Sequence, residues 1–329
     1  MKKAFSCMIF CLLTLLLIGR ISDILVPKAT NRYYILEKYL EYNPKDFDVH
    51  IYGSCHSYTS FNPIFLEKQT GVESFIYGNA GEIIPTTYVR MYEQFKEYAP
   101  KIAFVEIWGI NPYETYDTTE KILGYYLPVN LERLPISLEK LEVIQDYENW
   151  VDMLEMNFPI ASYKDRIMDE ALLDIDFDYS FEGTKPHSSN YNNSEMTSRL
   201  AYNGFKLNPS KEILDYPIYQ NHIDSDEFLE IEPDIVKYLE KIIILCKKHD
   251  VELIFYRSPY ISTENELRKL NHLRQICAEH NVKFIDLEEV IQYDYAVDFL
   301  DYQHLSETGA NKSTEYLITY ILDAINLDK

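Results

Sequence analysis

Ile102-Ala103-Phe104-Val105-Glu106-Ile107 is apolar at every position but one. A strand with one face in water alternates polar and apolar residues. A nearly unbroken apolar run belongs instead to a parallel strand covered on both faces. The flanking sequence extends this reading in both directions. Phe47-Asp48-Val49-His50-Ile51-Tyr52, a short alternating segment running into Gly53, is a first core strand, and Ser74 to Tyr77 is a second, ended by Gly78. Between and after them lie helices over 61–69, opened by Asn62 and Pro63 as N-cap and first residue, and over 86–98, with Val89, Tyr92 and Phe95 on one face. Beyond residue 233 the alternation resumes: helix 234–248, strand 252–256, helix 263–280, strand 283–286, and a last helix over 308–326. That last helix carries Leu317, Tyr320, Ile321, Ala324 and Ile325 at helical spacing. Strands and helices alternating on this scale predict a three-layer α/β/α domain around a parallel, flavodoxin-like sheet.

From about 112 to 233 the pattern loosens into a segment rich in Tyr, Asn, Asp and Ser, with helical pieces at 137–155 and 163–174. It reads as an insertion, a lid or a substrate-facing subdomain. At the other end, Lys2 and Lys3 precede an apolar run from Ala4 to Gly19, followed by Arg20 and a second apolar stretch, Ile21 to Val26. That is the charge and length pattern of an export signal. No small-x-small cleavage site follows it, so residues 1–26 are expected to be an uncleaved signal anchor, 27–45 a juxtamembrane connector with some helix, and 46–329 the folded domain. The positive-inside rule then leaves the N-terminus in the cytoplasm and the domain outside. Cleaved secretion is the alternative.

Among 329 residues, 31 Lys and Arg stand against 53 Asp and Glu, a net charge of -22. No basic stripe is present to neutralise phosphates, which argues against a nucleic-acid partner. Five cysteines make no disulfide framework. Cys7 and Cys11 fall in the apolar run, and Cys246 and Cys277 in helical patterns where a thiol serves as a small hydrophobe. Cys55 alone lies in a loop with polar neighbours, which invites a reading as a nucleophile.

In an open parallel sheet, function gathers in the loops after the strand C-terminal ends. Three such loops are Gly53 to Ser57, Gly78 to Glu82 and Trp108 to Asn111. The segment Asp301-Tyr302-Gln303-His304 precedes the last helix and can fold back to the same edge. A His deprotonates a hydroxyl or thiol, and an Asp fixes its tautomer and steadies its cation. The plainer role for Asp301 and His304 is capping the helix that follows. His56 directly follows the nucleophile position; adjacent side chains diverge, so it reads as a structural hydrogen-bonding residue. Asn111 precedes Pro112 and also suits a turn. Asp298 and Asp301 lack the further oxygen ligands of a cation site, and His187, His222 and His272 have no partner at ligand spacing. Neither a metal nor a cofactor is expected.

In this order the motifs resemble the SGNH (GDSL-type) hydrolase superfamily, and more closely its membrane-anchored branch in envelope polymer acylation. The resemblance covers roughly 47–110 and 234–326. Gly53-Ser54-Cys55-His56 falls where that family has Gly-Asp-Ser or Gly-Ser-Ser, and Asp301-x-x-His304-Leu305 falls on its Asp-x-x-His block. Gly78 is placed like the donor of an oxyanion N–H, and Gly109-Ile110-Asn111 like the Gly-x-Asn block whose Asn is the second donor. One departure matters: the family's nucleophilic Ser corresponds to Cys55, with Ser54 one residue earlier. Three readings stand open, with Cys55 as nucleophile, with Ser54 in that role, or with neither in an inert site.

The resemblance implies an extracytoplasmic esterase or O-acyltransferase acting on a cell-surface glycan or an acylated small molecule, with a multispanning membrane acyltransferase as a partner. The alternative is a non-catalytic glycan-binding or assembly protein on the same fold, favoured by the Tyr-rich insertion and the missing Ser. A purely structural anchored domain is a third.

Overall fold

The structure is a computed structural model that describes residues 2–25, 46–112, 123, 126–132, 134–147, 227–260 and 262–326. The chain divides into two compact units, one formed by Met1–Tyr42 with Pro128–Gly183 and the other by Asn43–Leu127 with Thr184–Lys329. The elements in order are α1 (Lys2–Leu25), β1 (Val49–Tyr52), α2 (Cys55–Ser60), α3 (Pro63–Thr70), β2 (Ser74–Ile76), α4 (Ile84–Glu97), β3 (Ile102–Glu106), α5 (Leu127–Glu132), α6 (Leu138–Tyr147), α7 (Pro233–Lys248), β4 (Glu252–Arg257), α8 (Glu264–His280), β5 (Lys283–Asp286), α9 (Leu287–Val290) and α10 (Glu307–Asn326). Of the helical pieces expected in the insertion, α6 covers part of the first. The second, 163–174, lies outside the described residues, as does the connector helix. The apolar run at the N-terminus is helical in α1. Among the described residues no helix is long and apolar enough to cross a membrane.

The second unit holds a five-stranded, all-parallel sheet in the order β2-β1-β3-β4-β5, with helices on its faces. This is the α/β/α architecture the alternating pattern predicts. Side chains alternate across each strand. Val49 and Ile51, Ile102 and Phe104, and Ile254 and Tyr256 enter one core with Phe61 and Leu66 from the first helical hairpin and Leu317 and Ile321 of α10. The helix α10 packs on both α2 and α3. The intervening residues His50, Tyr52, Ala103, Val105 and Phe255 point to the opposite face, and all are buried. There α4 packs against α7, with the rings of Tyr88 and Tyr238 5.8 Å apart. Burial on both faces explains why β3 reads as an apolar run.

Helix ends follow local chemistry. Asn62 caps α3 by accepting from the N–H groups of Ile64 and Phe65, with Pro63 at the first helical position. Thr263 and Glu266 form a reciprocal capping box at the start of α8. Because β1 has β2 on one side and β3 on the other, the chain leaves β1 and β3 in opposite directions, opening a crevice at the strand C-terminal ends.

Candidate functional site

The chain leaves β1 through Gly53, whose φ of +124° is rarely open to a side chain. A Cβ here would also lie 2.8 Å from both the Cβ and the backbone oxygen of Glu106 on the neighbouring strand. Gly53→Ala is therefore expected to destabilise the fold by roughly 1–3 kcal/mol from backbone strain alone, with the overlap added, measured as a lowered midpoint in urea or thermal unfolding. Ser54 then caps α2, its Oγ accepting from the N–H of His56, and Cys55 is the first residue of that helix. Gly78, after β2, lies against this turn. A Cβ on it would meet Ser57 Oγ at 1.9 Å and the Gly53 backbone oxygen at 2.7 Å.

The second half of the site comes from the loop before α10. Phe299 and Leu305 pair as an antiparallel bridge, and Leu300 N–H donates to His304 O, closing a tight loop. Inside it, Asp301 Oδ1 accepts from the N–H groups of Gln303 and His304 at 2.8 and 2.9 Å. Both oxygens of the same carboxylate lie 3.0 Å from His304 Nδ1. The other ring nitrogen, Nε2, sits 3.1 Å from Cys55 Sγ. Asp301, His304 and Cys55 thus form a continuous line. The capping role falls to Ser306, whose Oγ accepts from Gly309 N–H, so Asp301 and His304 are free of it. Asp298 is occupied elsewhere, binding Lys312 and the N–H of Asp294.

Electrostatics separate Cys55 from the other thiols of the domain. Burial pushes Cys246 and Cys277 up, the latter to about 12. Burial also opposes charge on Cys55, but the imidazoles of His56 and His304 outweigh it and hold this thiol well below the usual range. For His304, burial lowers proton affinity, yet the Cys55 sulfur and the Asp301 carboxylate raise its pKa to about 10. Burial likewise works against the Asp301 carboxylate, which its bonds to His304 and the loop N–H groups nevertheless hold below its ordinary range. The favoured state is a thiolate–imidazolium pair, with Asp301 behind the imidazolium.

Ser54 faces a different partner. Its hydroxyl is fully buried, donates to Glu106 Oε2 at 2.7 Å, and lies 2.9 Å from His56 Nδ1. His304 reaches the sulfur of Cys55 instead. Glu106 is a site residue missed in the sequence reading. It ends β3, is fully buried, and its second oxygen accepts from the N–H of Trp108 at 3.0 Å. Burial pushes its carboxyl up, opposed by His56 and by these two donors. The signal was present: Glu106 is the one carboxylate in an apolar, doubly covered strand, and a charge at such a position needs built partners.

His56 packs between rings, 4.7 Å from Tyr260, 5.8 Å from Trp108 and, nearly parallel, 5.4 Å from His304. Arg257 fixes the Tyr260 loop, donating to Asp286, to Ser262 Oγ and to the Tyr260 carbonyl. Asn111, at the end of the turn after β3, is buried, with neither carboxamide atom hydrogen bonded. Buried amides without partners are uncommon in folded proteins. The sulfur of Cys55 and a nitrogen from each of His56 and His304 lie within 4.8 Å of one another, close enough to hold one thiophilic ion. Such an ion would take up the Cys55 sulfur and the ring nitrogen of His304 that now face each other. His272 is engaged elsewhere, its Nδ1 accepting from Ile231 N–H. His187 and His222 lie outside the described residues.

Comparison with protein-family models finds no match, and no curated protein matches the chain.

Proposed function

We propose that this chain is a membrane-anchored, extracytoplasmic esterase or O-acyltransferase of SGNH type, acting on a cell-surface glycan through a thioester on Cys55. The observation that carries this reading is the bridge made by His304, which is held by Asp301 and meets a sulfur 249 positions before it in sequence. The site lies at the C-terminal edge of a parallel sheet, where such folds hold their chemistry. The anchor and its orientation rest on the charge and apolar pattern of residues 1–26.

The steps follow from the residues. The Cys55 thiolate attacks the acyl carbonyl carbon, and the carbonyl oxygen takes up the negative charge. The N–H of Gly78 and the side-chain amide of Asn111 are assigned to that oxygen. The unpartnered state of the Asn111 carboxamide suits a donor whose acceptor arrives with substrate. As the intermediate collapses, the bond to the leaving oxygen breaks and His304 Nε2–H gives that oxygen its proton. Neutral His304 then takes a proton from water or a sugar hydroxyl, which attacks the thioester. Cys55 leaves as thiolate and the imidazolium is restored. Hydrolysis and transfer differ only in that acceptor. A multispanning membrane acyltransferase is the partner that would deliver the acyl group.

The test is acetate release from an O-acetylated polysaccharide by the full chain. Wild type is expected to exceed the buffer rate, and Asp301→Asn to lower the release on the order of 10²-fold or more by losing the charge behind the imidazolium. Saturable binding of the polysaccharide without release, unchanged in Asp301→Asn, would establish the glycan-binding reading instead.

A further inference from the structure

The triad leaves a second hydrogen-bonded line unexplained. It runs from Glu106 through Ser54 to His56, and every member is buried. With the Glu106 carboxyl ionised, as its two donors and His56 favour, proton counting gives the direction. Ser54 has one hydroxyl proton and gives it to Glu106 Oε2. The lone pairs of Ser54 Oγ then accept, one from the backbone N–H of His56 and one from its ring. A hydroxyl oxygen that has donated its only proton can meet Nδ1 of His56 only if Nδ1 carries hydrogen. That same Nδ1 lies 4.0 Å from Cys55 Sγ, within reach of a sulfur acceptor.

We propose that Glu106 and Ser54 act as a relay that fixes the tautomer and orientation of His56, so that its Nδ1–H is shared between Ser54 Oγ and the Cys55 sulfur. The thiolate then has two imidazole donors on different tethers: His304 Nε2–H, held by Asp301, and His56 Nδ1–H, held by Glu106 through Ser54. The two rings lie 21° from parallel with centroids 5.4 Å apart. On this assignment Ser54 is a positioning residue, not a spare nucleophile, and so are Glu106 and His56. The Gly53 geometry serves the same end, because only a residue without Cβ lets the turn lie against Glu106. This inference rests on the reading of Cys55 as the reactive thiolate.

The experiment is the rate of Cys55 alkylation by iodoacetamide across pH 4–10, followed by peptide mass, on the full chain of wild type, His56→Ala, His56→Asn, Glu106→Gln and His304→Ala. Loss of the second donor in His56→Ala is expected to slow alkylation at pH 6 about tenfold and to move the profile up by about one pH unit. Asn places an amide N–H where Nδ1–H stood, so His56→Asn should recover most of that loss. Gln at 106 can donate as well as accept and releases the Ser54 proton to turn toward His56. Its profile should shift in the same direction as that of His56→Ala. If Glu106→Gln does not fold, Ser54→Ala cuts the same link and replaces it. Profiles of His56→Ala or Glu106→Gln that superpose on wild type would overturn the relay. In that case, a shift in His304→Ala alone would leave the triad standing. An ordinary thiol profile in wild type, unmoved in His304→Ala, would remove both.

Discussion

Cys55→Ala is expected to reduce acyl release to the rate without protein. Among the described residues, the side chain bonded to His304 Nε2 is that of Cys55 alone. Ser54 does not replace it, because its hydroxyl is fully buried and committed to Glu106. Cys55→Ser separates nucleophile identity from site integrity. Its hydroxyl would sit where the sulfur now meets His304 Nε2 at 3.1 Å, so general-base assistance survives. What is lost is the standing negative charge, since a serine hydroxyl does not ionise beside an imidazole as a thiol does. A fall on the order of 10²–10⁴-fold with measurable residual turnover is the expected outcome. Initial-rate assays on purified, folded variants check both. A Cys55→Ala variant that keeps wild-type turnover would remove the thiol from the chemistry.

The second large effect belongs to His304→Ala, and its sign follows from the paired titrations. In wild type the thiol loses its proton far below the ordinary range, while His304 keeps its proton to about pH 10. Turnover should therefore rise as pH rises through the depressed Cys55 value and fall again near pH 10, where the leaving oxygen loses its acid. Without His304, Cys55 loses a positive neighbour and a hydrogen bond while burial still pushes the thiol up. The acid limb of the profile then moves up toward the ordinary thiol pKa of about 8.5, with His56 still holding the thiol down, and the alkaline fall disappears. At pH 7 turnover is expected to drop roughly 10²–10⁴-fold. A pH–rate profile of each protein reads all three features.

The sheet was legible in the sequence because burial on both faces wrote it there. Ile102 to Val105 is an apolar run and Leu253 to Tyr256 another, whereas Val49 to Tyr52 was legible as a short alternating segment running into Gly53. The α3 start was legible because Asn62-Pro63 is a chemical signal rather than a periodic one. Helix α2 was not foreseen. Cys55-His56-Ser57-Tyr58-Thr59-Ser60 has no helical apolar stripe, and its start is set by the Gly53 turn and the Ser54 cap.

The site was half visible. Asp301 and His304 stood out as a pair, but choosing between a capping and a catalytic reading required knowing that α10 begins at Glu307, beyond Ser306. Cys55 and Ser54 could not be separated by spacing, because one residue of turn geometry decides which side chain meets His304. Glu106 was hidden for a longer-range reason. Its partnership with Ser54 exists only once Tyr52 pairs with Val105, which sets Gly53 beside Glu106 across two parallel strands. No local pattern encodes that register.

The most direct measurement is intact mass with peptide mapping after exposure of the protein to an activated acetyl ester, with His304→Ala run in parallel. The account predicts one acetyl adduct on the peptide bearing Cys55, assigned to its sulfur, and its loss in His304→Ala. No adduct, an adduct on Ser54, or a Cys55 adduct formed equally fast without His304 would contradict it.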